Sequence, residues 1–242
     1  MAIKKFASIP FSQIADIGIH QNTIGNKLTA TQVKALYDAD YVMNLGFYDM
    51  TTYNPIMALK VNGTWIVKEG NLEGMSFDKT GIDFCRADDS LRANFVASYP
   101  TLIRGGNIAD FTVPAGLGGD RGRSGLGIGA DHNIMLGCIG ESLSTDDYTL
   151  QEFAQDMYAR GAKCFINVDG GLSSQGIFPD GVIESTRVVQ NFIYIRLYKP
   201  VYKVQLGAFR GLDRATAFKD NCKNALANDG ITTTPMIVTT YM

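Results

Sequence analysis

Phe165-Ile166-Asn167-Val168-Asp169-Gly170-Gly171-Leu172-Ser173-Ser174 decides the reading of this chain. A short apolar run of strand character stops at a carboxylate, and glycines and serines follow. That order brings an acid to the end of a buried strand, where the backbone turns sharply and a ligand can approach closely. The stretch just upstream reads as a helix. Thr149 and Glu152 stand at capping-box spacing, and Leu150, Phe153, Ala154, Met157 and Tyr158 form one apolar stripe of helical period. Gly161 is a C-terminal stop. The predicted unit is therefore helix, short loop, buried strand and acidic Gly/Ser turn. Two uses are open to Asp169: a turn carboxylate bonding its own backbone, or the acid of a site.

The chain has 242 residues and is 45% hydrophobic, enough for one sizeable core and a small extra module. Its formal net charge is -2, from 22 basic and 24 acidic residues without a long charge run, which argues against nucleic-acid binding by bulk electrostatics. With 26 glycines and only 7 prolines the composition is that of a loop-rich globular protein. Cys85, Cys138, Cys164 and Cys222 form no C-x-x-C pair, so neither a disulfide framework nor a zinc site is expected. The histidines are His20 and His132, and His132 falls in a turn between two strand-like runs. A His-based triad or metal site has few candidates, and no metal or cofactor is expected. Met1-Ala2-Ile3-Lys4-Lys5-Phe6 is followed by Ser12, Gln13 and Asp16 rather than an apolar run. Neither a signal peptide nor a membrane span is expected, which implies cytoplasmic synthesis.

Further elements are legible along the chain. A helix is predicted from Thr29, with Gln32 at the capping-box position and Val33, Leu36 and Tyr37 facing inward. Tyr41-Val42-Met43 reads as a strand. Asn62-Gly63 joins Met57–Val61 to Thr64–Val67 as a hairpin. Residues 116–129 are glycine-dense and carry Arg121 and Arg123, consistent with either a mobile loop or an anion cradle. Past Lys199-Pro200, a strand at 202–209, a helix from Asp213 and a strand at 231–238 make a small β-α-β piece. The fold class expected is α+β. Residues 1–198 form a mixed-sheet domain with packed helices, and 199–242 form the β-α-β module.

Four short segments together resemble the phosphodiester glycosidase family. Asn44-Leu45-Gly46-Phe47-Tyr48-Asp49 is similar to its Asn-Gly-Gly-Phe/Tyr-Phe element, with Leu45 in place of the first glycine. Pro100-Thr101-Leu102-Ile103-Arg104-Gly105-Gly106 and Arg123-Ser124-Gly125-Leu126-Gly127 correspond to two more. Val168-Asp169-Gly170-Gly171-Leu172-Ser173-Ser174 matches the Leu-Asp-Gly-Gly-Gly-Ser-Ser element, with Leu172 for the third glycine. The resemblance spans about residues 36–195 and implies hydrolysis of the bond between an anomeric sugar carbon and a phosphodiester oxygen. It implies Asp169 as nucleophile or activator of water, and Arg123 as phosphate contact with Arg104 and Arg121 in reserve. Asn44, Ser173 and Ser174 orient the substrate, Asp49 and Glu141 are candidate second carboxylates, and Gly46, Gly170 and Gly171 allow close backbone approach. The implied partner is a carbohydrate or sugar-phosphate polymer, of cell-envelope glycan or teichoic-acid type.

Tyr202-Lys203-Val204-Gln205-Leu206-Gly207-Ala208-Phe209 resembles the opening of a sporulation-related repeat domain, which implies peptidoglycan contact. A lone β-α-β unit leaves an open strand edge, so 200–242 is expected to mediate homo-oligomerisation or to dock on a partner. Two other functions remain open: a glycan binder without catalysis, and a phage virion component.

Overall fold

The computed structural model describes residues 3–68, 70–113, 116–141, 148–199 and 212–228. In chain order the strands are β1 (Lys4–Ile9), β2 (Ile14–Gln21), β3 (Tyr41–Asn44), β4 (Leu59–Val61), β5 (Thr64–Val67), β6 (Glu73–Asp78), β7 (Gly81–Arg86) and β8 (Asn94–Ala97). They continue as β9 (Thr101–Arg104), β10 (Asn107–Ile108), β11 (Arg123–Gly129), β12 (Ile134–Ile139), β13 (Ala162–Asn167), β14 (Gly176–Phe178), β15 (Gly181–Ile183) and β16 (Asn191–Leu197). The helices are α1 (Ala30–Tyr37), α2 (Leu150–Ala159) and α3 (Leu212–Asn228).

Three sheets result, ordered β1-β12-β11-β13-β9-β10, β15-β14-β3-β16-β2 and β5-β4-β8-β6-β7. Every pairing between these strands is antiparallel, which corrects the mixed sheet expected from sequence. The reason lies in the crossover. Helix α2 connects β12 to β13, a helix–strand order that suggests parallel neighbours, but β11 stands between them and pairs with both. The α+β class itself holds.

Both capping boxes form, Thr29 with Gln32 and Thr149 with Glu152. Leu150, Phe153, Ala154 and Met157 are buried, whereas Tyr158 lies beyond the stripe and is exposed. In α1 the buried residues are Ala30 and Val33, Tyr37 packs beside them one turn on, and Leu36 lies off that face and is exposed. Asn62 and Gly63 both take positive φ, 47° and 85°, as the tight turn of the β4–β5 hairpin requires.

The glycine-dense stretch is not a loop throughout. Its second half is β11, fully buried at the centre of the first sheet. A Cβ on Gly125 would stand 2.3 Å from the Phe165 ring, and one on Gly127 2.4 Å from it. Gly137, paired with Gly125, would meet Phe153 at 2.9 Å. These glycines make a flat floor on which Phe165 and Phe153 lie edge to face, with centroids 5.4 Å apart. The opposite face of the sheet carries Leu126, Ile128, Leu136 and Ile166 into the main core, which also takes Met43, Ile193, Met75 and Phe77 from the other sheets. Helix α1 covers Val42, Phe192 and Tyr194 of the second sheet.

The chain divides into two compact units, Met1–Tyr198 and Lys199–Met242. In the second unit α3 starts at Leu212, close to the predicted Asp213. The strands expected at 202–209 and 231–238, and the open edge argued from them, lie outside the described residues. Among the described residues no helix is long and apolar enough to cross a membrane.

Candidate active site at the Asp169 turn

Strand β13 delivers Asp169 to a crossing point of three chain segments. The Val168 N–H donates to the Ser124 carbonyl (2.9 Å), the Asp169 N–H to Leu45 (2.9 Å), and the Gly171 N–H to Gly122 (2.8 Å). Asn44 locks the crossing. Its Nδ2 donates to the Asp169 carbonyl at 2.6 Å, and its Oδ1 accepts from Ser124 Oγ (2.7 Å) and from the Gln175 N–H (3.1 Å). Asn44 is wholly buried and both ends of its amide are engaged, so its work is to position Asp169.

Glycine is required where the segments touch. A Cβ on Gly122 would lie 2.8 Å from the Gly171 carbonyl, and one on Gly170 2.8 Å from the Gly122 carbonyl. Gly171 has φ +59°, and the turn then closes as a short 3-10 segment through Ser173.

The Asp169 carboxyl is pushed up to about 6. Burial is the main cause. The Ser173 hydroxyl, the Gly170 N–H and the Arg187 charge pull the other way without cancelling it. Arg187 donates to Ser173 Oγ at 3.2 Å, so one hydroxyl bridges the guanidinium and the carboxylate. Burial and then the Asp169 charge raise the phenol of Tyr48, which forms a further wall of the site.

The Arg187 segment is itself pinned. Gln175 Nε2 donates to the Arg187 carbonyl at 2.7 Å. Tyr53 Oη and Asn22 Nδ2 both donate to the Val189 carbonyl at 2.8 Å.

Asn44, Asp169, Gly170, Gly171, Ser173 and Ser174 thus come together. Ser174 Oγ is buried with no hydrogen-bond partner among the described residues, beside Gly122. Glu141 is exposed at the rim, accepts from the Gly122 N–H, and lies 3.8 Å from where a Gly171 Cβ would stand. Gly46 donates its N–H to Asn191 Oδ1 (2.6 Å) and shapes the adjoining crevice.

The other expected residues go elsewhere. Arg123 has its backbone at the site, but its side chain is 1% exposed and donates to the carbonyls of Tyr148 (2.8 Å), Leu117 (3.0 Å) and Gly119 (2.6 Å). A buried guanidinium needs acceptors for its donors, and these carbonyls provide them. Arg121 donates to the Gly116 carbonyl at 3.0 Å. Arg104 forms a two-pronged pair with Glu73 on a different cleft. Asp49 is exposed and accepts from the Thr51 N–H (2.9 Å) and the Thr52 N–H (2.6 Å), the local turn use of a carboxylate. Leu45 packs into the main core, so it leaves the turn open, whereas Leu172 is exposed.

Arg187, Tyr48, Ser124 and Gln175 are site residues that sequence reasoning missed. The available signal for Arg187 was an arginine in the polar stretch Glu184-Ser185-Thr186 shortly after the acidic turn. Among the described residues no cluster of His, Cys, Asp or Glu is arranged to hold a metal ion.

The fold is similar to that of the zebrafish N-acetylglucosamine-1-phosphodiester alpha-N-acetylglucosaminidase catalytic domain, auto-inhibited by its pro-peptide. That match has a TM-score of 0.63 at 13% identity, over 81% of this chain and 83% of that one. A Synechocystis protein matches with a TM-score of 0.64 at 12% identity, over 81% of this chain and 59% of that one. A Burkholderia pseudomallei protein described as exported gives 0.58 at 11%, over 81% and 74%. No curated protein sequence matches significantly. The phosphodiester glycosidase family model matches residues 37–196; that range reaches neither the sporulation-related resemblance nor any other part of 199–242. It contains the Asn44 hub, the Asp169 turn and Arg187, and the chain belongs to the phosphodiester glycosidase family.

Proposed function

We propose that the chain hydrolyses a sugar phosphodiester at the bond between the anomeric carbon and the phosphate oxygen. The observation that carries this is the Asp169–Ser173–Arg187 triplet, in which a carboxylate of raised pKa and a guanidinium share one hydroxyl. A phosphodiester leaves readily once its charge is held, so little general-acid help is needed. Ionised Asp169 attacks the anomeric carbon or takes a proton from water, while Arg187 and Ser173 hold the phosphoryl oxygens. The unpartnered Ser174 hydroxyl and the exposed Glu141 stand ready for sugar hydroxyls or for a second proton transfer. Arg187 thereby takes the phosphate role that sequence assigned to Arg123.

The zebrafish relative's name supplies the test substrate, an N-acetylglucosamine 1-phosphodiester. Asp169→Asn removes charge with little change of volume and is expected to lower turnover by at least about a thousandfold, roughly 4 kcal/mol of transition-state stabilisation. Arg187→Ala is expected to raise KM and lower kcat together. Unchanged turnover in Asp169→Asn, with circular dichroism showing a folded chain, rejects the assignment.

A further inference from the structure

Tyr48 brings to the Asp169 turn a hydroxyl that the corresponding family element lacks. That element ends in Phe/Tyr-Phe, and this chain reads Phe47-Tyr48 in the same place. The ring is kept and one oxygen is gained.

The ring is fixed by its surroundings. Tyr48 is 8% exposed, its backbone forms a bridge with Pro55, and its ring stands edge to face against Tyr53 with centroids 5.3 Å apart. Tyr53 in turn donates its hydroxyl to the carbonyls of Val188 (3.0 Å) and Val189 (2.8 Å), the two residues that follow Arg187. Tyr48 and the Arg187 segment are therefore held by one framework.

The phenol faces the reacting groups. It meets the Ser173 hydroxyl and lies within range of the Asp169 and Arg187 charges. Burial and then Asp169 raise its pKa above the usual 10, so it keeps its proton at neutral pH. It serves as a hydrogen-bond donor there, and neither as a base nor as a nucleophile. Arg187 commits a single side-chain N–H among the described residues, to Ser173 Oγ at 3.2 Å. Donors from three chain segments thus converge beside one carboxylate. Burial opposes the charge of that carboxylate. A phosphodiester carries its charge throughout the neutral range, and its non-bridging oxygens accept from several donors at once.

We propose that Tyr48 contacts the substrate, its hydroxyl donating to a phosphoryl oxygen of the leaving phosphate as a third donor beside Arg187 and Ser173. The inference rests on the phosphodiester hydrolase reading and adds a residue to its phosphate subsite. The phenol proton stays on Tyr48. The bond between the anomeric carbon and oxygen breaks, its electron pair passes to the phosphate, and the Tyr48 hydrogen bond strengthens as that charge develops. Phenylalanine at this position leaves the reaction possible and removes only this stabilisation.

The test uses the full chain, unaltered and bearing Tyr48→Phe, a change that removes one oxygen and leaves the ring against Tyr53. Turnover is measured on the methyl phosphodiester of N-acetylglucosamine 1-phosphate. Binding of methyl phosphate and of N-acetylglucosamine is measured separately by calorimetry. Tyr48→Phe is expected to lower kcat/KM roughly ten- to hundredfold and to weaken methyl phosphate at least about fivefold, as for the loss of one charge-assisted hydrogen bond. N-acetylglucosamine binding is expected to stay the same. Equal methyl phosphate binding by the two chains, or none by either, overturns the proposal. So does an equal loss for both ligands, which is the result of a merely structural ring. Methyl phosphate binding requires no turnover, so the two readings fail separately. A chain that binds methyl phosphate through Tyr48 and hydrolyses nothing rejects the catalytic reading and keeps the contact. Hydrolysis at full rate in Tyr48→Phe rejects the contact alone.

Discussion

At neutral pH Asp169 carries a charge that its surroundings oppose. Its folded pKa of about 6 lies above the usual 3.8, so the folded state holds the proton more tightly than the unfolded chain does. Stability from this group is therefore present at low pH, falls as pH rises between about 4 and 6, and stays lowered above that. The gap corresponds to about 2–3 kcal/mol. Asp169→Asn is accordingly expected to melt roughly 5 °C higher than the unaltered chain at pH 7.5. The difference should vanish near pH 3.5, and scanning calorimetry at the two pH values checks it. On the proposed hydrolase reading the same titration governs turnover. If ionised Asp169 is the reacting form, kcat/KM rises through about pH 6 and is flat above. A fall through the same range would instead make Asp169 a proton donor. The contrast with Asp49 is instructive, because both are turn carboxylates in the sequence. Asp49 is exposed and satisfied by its own loop, which lowers its pKa. Asp169 differs through the chain segments packed around it, and that packing does not show in the local sequence.

At the scale of elements, legibility followed locality. Helix α2, both capping boxes and the Asn62-Gly63 hairpin rest on residues a few positions apart, and all were readable. Strand β11 was not, because its glycines answer to Phe165 on a neighbouring strand rather than to any local turn. Gly125→Ala tests this. Its Cβ would be driven into the Phe165 ring and to 2.9 Å from the Ile166 carbonyl, a backbone atom that cannot yield. A loss of about 2–3 kcal/mol is expected in a denaturant titration, whereas a free loop glycine would tolerate the change. Arg123, the arginine expected beside the acid, turns away for a similar reason, and Arg187 stands near it instead. Which arginine reaches the acid depends on where the carbonyls of residues 117, 119 and 148 fall, and sequence order does not give that.

For the whole molecule, the family range of residues 37–196 lies inside the first compact unit. Deleting residues 199–242 is therefore expected to leave phosphodiester turnover and the main melting transition in place. Enzyme assay and calorimetry of residues 1–198 check this, and light scattering of both forms shows whether the tail affects assembly. The α+β class was legible from strand and helix signals along residues 1–198. The antiparallel arrangement was not, since the insertion of β11 between β12 and β13 is a matter of sheet order.

The Asn44 hub has a consequence for how the protein is born. Asn44 emerges from the ribosome 125 residues ahead of the aspartate whose carbonyl it binds, and Gly46 waits longer still for Asn191. Contacts of such separation form late and slowly. A nascent chain therefore holds half of its polar clamp unsatisfied until nearly the whole first unit is synthesised, so the Asp169 turn is fixed as one of the last events of folding.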